Sequence, residues 1–102
     1  MITVRISKQV DIISEQIAWN IIPMLKKSGM YAVLFDYNGK KAGDLVELFE
    51  TAKKDMEANF ADYDKLNFPG RTLDARVALY FVQHWLIHCR QYPDETIRIE
   101  EQ

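Results

Sequence analysis

The sequence predicts a small two-layer α/β or α+β sandwich, ordered β-α-β-α-α-β, with a three-stranded sheet and three helices mainly on one of its faces. Three observations carry the prediction. Apolar and polar residues alternate at both residues 2–6 and residues 96–100. A continuous apolar run, Tyr-Ala-Val-Leu-Phe, occupies residues 31–35. Between these lie long segments whose apolar residues recur every three or four positions, the period of an amphipathic helix.

Ile2, Val4 and Ile6 alternate with Thr3 and Arg5, the pattern of a half-buried strand. Ser7 stands where it can cap a helix running toward Lys27, with Gly29 just beyond its end. Val10, Ile13, Ile17, Ile21 and Met24 would form the stripe of that helix. Pro23 should kink it or restart it near Ile22, because proline lacks an N–H and clashes with the preceding turn. The short run 31–35, β-branched and aromatic, predicts a strand buried on both faces. It would form the centre of the sheet, reached by a right-handed crossover from the first strand.

Asn38-Gly39 marks a turn, read as a plain loop. Asp44 and Glu47 make an acidic capping box for the second helix. Leu45, Leu48, Phe49, Ala52, Met56, Phe60 and Tyr63 give that helix its stripe, and it should end between Asp62 and Leu66. Thr72 can cap a third helix reaching about Gln91. This helix is apolar nearly all round, with only Arg76, Gln83 and Arg90 marking a polar strip. Such a helix is either the centre of the fold or partly an oligomer surface. Residues 96–100 supply the last strand, at a sheet edge guarded by Arg98 and Glu100.

Composition removes whole classes of function. With 102 residues, the expectation is one domain over 1–102 with a single core. An apolar fraction of 48% argues against disorder, and four Gly with three Pro argue against collagen-like or low-complexity sequence. No apolar run reaches the ~18 residues a membrane span needs, and no signal-peptide pattern stands at Met1 onward. The lone Cys89 cannot form an internal disulfide, which suits a cytoplasmic protein. Thirteen basic against fifteen acidic residues, spread evenly, disfavour strong non-specific nucleic-acid binding.

Few residues form a chemical constellation. His84 and His88 are four apart and share a helix face, the spacing of two metal ligands. The protease pattern would need Glu after the first histidine, where Trp85 stands, and no third ligand is evident. Residues 36–47 fit a calcium loop at four positions but place Lys40 and Lys41 inside it, where a cation site needs an oxygen ligand and a glycine. Gly39 and Gly43 flank a lysine pair between a strand and a helix, yet match neither the phosphate-loop nor the dinucleotide fingerprint, so no cofactor is expected. Cys89 sits in an apolar helix, which suppresses the thiolate, and no serine has a nucleophile context. No catalytic set is expected.

Apolar surface is the remaining signal. Ile12 and Trp19, seven apart on the first predicted helix and broadened by Ile22, lie opposite its main stripe, and Trp85 belongs to the over-apolar third helix. These four residues predict a protein interface. The expected function is therefore a non-enzymatic module that binds another protein or itself as a homodimer, of the adaptor, immunity or small-inhibitor kind. One alternative is a nucleic-acid-associated factor using Lys26, Lys27, Lys40 and Lys41. A second is metal binding through His84 and His88.

Overall fold

The computed structural model describes residues 2–7 and 11–101, with the side chains of Asp11 and Ile12 excepted. It is an α+β fold with one three-stranded sheet and one core. Strands β1 (Ile2–Ser7), β2 (Asp11–Ile17) and β3 (Thr96–Glu101) enclose five helices in the chain. These are α1 (Ile22–Ser28), α2 (Met30–Asp36), α3 (Val46–Ala58), α4 (Phe60–Asp64) and α5 (Asp74–Gln91).

The sheet order is β2-β1-β3, and both pairings are antiparallel. The first strand therefore occupies the centre, and the expected parallel crossover is absent. Val4 faces Glu15 on one side and Ile99 on the other, while Ile6 faces Ile13 and Ile97. The face carrying Val4, Ile6, Ile97 and Ile99 is buried in the core shared with the helices. The opposite face sets Arg5 between Ser14 and Arg98. Arg5 meets the Glu100 carboxylate at 3.2 Å, which offsets the like charge beside it.

Two segments differ from the sequence expectation. Residues 11–17 are strand rather than the first half of a long helix. Ser7 ends β1 instead of capping a helix, and Val10 of the expected stripe lies outside the described residues. Ile13 and Ile17 are four apart, a spacing that lies on one face in a helix and also on one face in a strand. The helix does restart at Ile22, with Pro23 in its first turn, where a missing N–H costs nothing.

Residues 31–35 form helix α2, not a central strand. Gly29, at φ 83°, ends α1 and starts α2 at once, a left-handed conformation that costs glycine little. Met30 and Leu34, four apart, are the buried residues of α2. The central place in the sheet is taken by β1, so the apolar run is free to pack as a helix on the core.

The second helix keeps its stripe but breaks at Asn59 into α3 and α4. Phe49, Ala52, Met56 and Tyr63 are buried, and α3 against α5 is the main helix–helix contact. Asp44 is not the cap. Residues Ala42–Leu45 form a 3-10 turn and the helix follows with Leu45 at its N-cap. Thr72 does not cap α5 either: the Asn67 side-chain oxygen accepts the Ala75 N–H at 2.9 Å.

The loop after α2 runs along the outer edge of β3. Gly39 N–H donates to Ile97 C=O at 2.8 Å, Ile97 N–H to Lys40 C=O at 2.9 Å, and Ile99 N–H to the Asn38 side chain at 2.9 Å. This covers a row of backbone groups that would otherwise template pairing with another chain. Gly43 continues the loop, its N–H 2.9 Å from Pro93 C=O. A Cβ there would lie 2.8 Å from that oxygen and 2.9 Å from the proline Cβ. This close contact requires a glycine. Gly43→Ala is expected to lower stability by about 1–3 kcal/mol, because backbone on both sides must part. A urea titration with Lys54→Ala, at an exposed position of α3, as a surface control checks this.

Among the described residues, no helix is long and apolar enough to cross a membrane.

Candidate functional site

The surface feature with the most definite geometry is the corner where β2 turns into α1. Ala18 leaves the strand in extended conformation, and Trp19–Ile21 form one 3-10 turn. Asn20 and Ile21 point inward and are buried, so the turn puts the Trp19 indole outside, 61% exposed.

That indole is held in place. The Phe68 ring meets it edge-to-face at 4.7 Å between centroids, and the Arg71 guanidinium lies 5.7 Å from its centre. Arg71 is itself fixed by Asp74, whose carboxylate accepts its Nε–H at 2.6 Å. The same carboxylate accepts the Asn20 amide at 2.7 Å and the Phe68 N–H at 3.2 Å. Asp74 is fully buried at the first turn of α5. Burial pushes its pKa up, but hydrogen bonds from Arg71, Asn20 and Phe68 outweigh that and leave it below the usual carboxylate range. One carboxylate thus ties the Trp19 turn, the loop before α5 and the α5 N-terminus into a single knot. Beside the indole lies a cleft of about 330 Å³ lined by Gln16, Ile17, Ala18 and Trp19.

The expected interface residues do not share one surface. Ile22 is half-buried and packs on the core, and the Ile12 side chain lies outside the described residues. Trp85 belongs to the interior and presents nothing to a partner. It is fully buried on α5, and its indole N–H donates to the Glu15 carboxylate of β2 at 2.9 Å. Of the three whose side chains are described, Trp19 alone is exposed.

The histidines face each other, Nε2 to Nε2, at 2.9 Å. One ring must donate and the other accept, so the contact needs at least one neutral ring. Burial, with the nearby His84, lowers the pKa of His88, partly offset by Glu15. His88 Nδ1 is buried without a partner. A bare lone pair is cheaper to bury there than an N–H, which favours His88 as the donor to His84. Among the described residues no third His, Cys, Asp or Glu joins them as a metal-holding group. Cys89 is buried, and burial pushes its thiol up to about 12, far from a neutral-pH nucleophile.

The lysine doublets stand apart along the chain. Lys26 and Lys27 lie in the last turn of α1, over the rings of Tyr31 and Tyr63. Lys40 lies over Tyr37, and Lys41 pairs with Thr96.

A second surface was only half legible in the sequence. Leu73, Val77, Tyr80 and Ile87 are all exposed, on the side of α5 away from its buried Ala78, Val82 and Trp85. The over-apolar helix is therefore both core and surface.

No family model, no curated protein and no solved structure matches this chain.

Proposed function

We propose that this chain is a non-enzymatic protein-binding module whose partner docks at the Trp19 corner. The observation that carries the reading is an indole left in the open yet fixed by Phe68 and Arg71 beside an open cleft. Tryptophan and arginine are the residue types that most often dominate binding energy. A side chain already held in one place loses little freedom on binding, so more of its contact energy appears as affinity. The knot around Asp74 supplies that preorganisation from the interior.

Trp19→Ala is expected to cost stability only about 1 kcal/mol, the worth of one aromatic pair. It should nevertheless reduce recovery of the partner by at least tenfold in a cross-linked pull-down from the native cell, compared with the unaltered chain at equal loading. Equal recovery by the two proteins rejects the corner as the docking site.

A further inference from the structure

We infer that the outer face of α5 pairs with the same face of a second copy of this chain, antiparallel about a two-fold axis at Tyr80. Leu73, Val77, Tyr80, His84 and Ile87 follow one another at steps of four, three, four and three residues. That is the 3.5-residue seam along which two helices pack, and here it runs about 21 Å. The chain itself covers other sides of α5 with Ala75, Ala78, Phe81, Val82, Trp85 and Leu86 turned to the core, and leaves Leu73, Val77, Tyr80 and Ile87 open.

The seam fits its own copy. Tyr80 stands midway between Leu73 and Ile87, seven residues from each. An antiparallel two-fold there sets Leu73 level with Ile87 of the second copy and Tyr80 level with its twin, and leaves Val77 one residue's rise, about 1.5 Å, from the level of His84. The flanks agree in charge. Arg76 and Gln83 border the seam seven residues apart, and the same axis brings Arg76 within one residue's rise of the level of Gln83 of the second copy, where a donor can face an amide oxygen. Arg76 is steadied over the Phe60 ring at 5.9 Å, and Arg90, further along that flank, is already paired with Glu50. None of the five seam residues, nor Arg76, Gln83 or Arg90 beside them, is a carboxylate.

The histidine pair gains a purpose in this arrangement. Tyr80 stacks on His84 at 5.6 Å and 14°, and His84 is held by His88. The central ring of the seam is therefore braced before any second copy arrives.

Area sets the expected strength. The exposed apolar side chains offer roughly 400 Å² on each copy, at about 100 Å² apiece. With the stems of Arg76 and Gln83, pairing buries on the order of 1,000 Å², the lower edge of specific interfaces, so micromolar association is expected. The seam uses none of the residues of the Trp19 corner.

Sedimentation velocity from about 1 to 300 µM should show the unaltered chain passing from monomer to dimer. Tyr80→Glu, at an exposed position, should leave circular dichroism unchanged and weaken the dimer at least a hundredfold. Tyr80→Cys should cross-link to its twin under mild oxidation, because the axis passes there. Leu73→Cys should not, because its twin lies a full seam length away, about 21 Å. A chain that stays monomeric throughout, a dimer indifferent to Tyr80→Glu, or equal cross-linking at both positions overturns the inference.

Discussion

Trp85→Ala is expected to destabilise the fold by about 3–5 kcal/mol, the loss usual for removing a large aromatic from a packed core. Trp85 is the largest of the fully buried side chains, and it stands between the long helix and the sheet. Its ring touches Phe81 and His88 on its own helix, at centroid distances of 6.3 and 5.4 Å. Its N–H reaches across to Glu15 of β2. Alanine would leave a cavity and a carboxylate facing the interior without its donor. Trp85→Phe separates the two effects: it keeps most of the volume and loses the hydrogen bond, so about 1–2 kcal/mol is expected. Urea unfolding of the two variants measures both. A Trp85→Ala protein within about 1 kcal/mol of the unaltered chain would show that α5 is not locked to the sheet in this way.

Asp74→Asn should produce the largest loss among the acidic residues, together with a distinctive pH signature. Three donors converge on this carboxylate, and the amide would turn its own NH₂ toward at least one of them. The variant should unfold at markedly lower urea at pH 7, whereas Asp62→Asn, on an exposed residue, should stay within about 0.5 kcal/mol. The sign of the pH effect follows from the lowered pKa. A carboxyl that holds its proton less tightly when folded stabilises the fold above the ordinary carboxylate pKa of about 4. That stabilisation is lost as pH falls below it. The gap between the unaltered chain and Asp74→Asn should therefore narrow between pH 5 and pH 2.5. A gap that is constant across this range would mean the charge on Asp74 is not what the knot depends on.

The fold class and the α3–α4 stripe were legible because their apolar residues obey one period only. Leu45, Phe49, Ala52, Met56 and Tyr63 cannot be read as a strand, and all are buried. Strand β2 was not legible, because its alternation is interrupted where it matters. Glu15 lies on the same face as Ile13 and Ile17, and a carboxylate at an inward position hides the strand pattern. The reason it is tolerated, the Trp85 indole 70 positions later, cannot be seen locally. Helix α2 was misread for the opposite reason: five consecutive apolar residues satisfy either period. Trp19 was singled out correctly as an outward residue, although by way of a helix that does not exist there. The knot that fixes it was invisible, since Asn20, Phe68, Arg71 and Asp74 come together only in the folded chain. The α5 seam could have been found from the four-three spacing of Leu73, Val77, Tyr80, His84 and Ile87, had the heptad been separated from the rest of an almost wholly apolar helix.

The place of β1 at the centre of the sheet has a consequence for synthesis. Its two partners leave the ribosome at very different times: β2 within a few residues, β3 only after all five helices. At 5–20 residues per second, Val4 and Ile6 wait roughly 5–20 s for Ile99 and Ile97. During that interval the nascent chain carries a two-stranded hairpin with an open, strongly apolar flank. That flank is therefore the last part of the sheet to be completed.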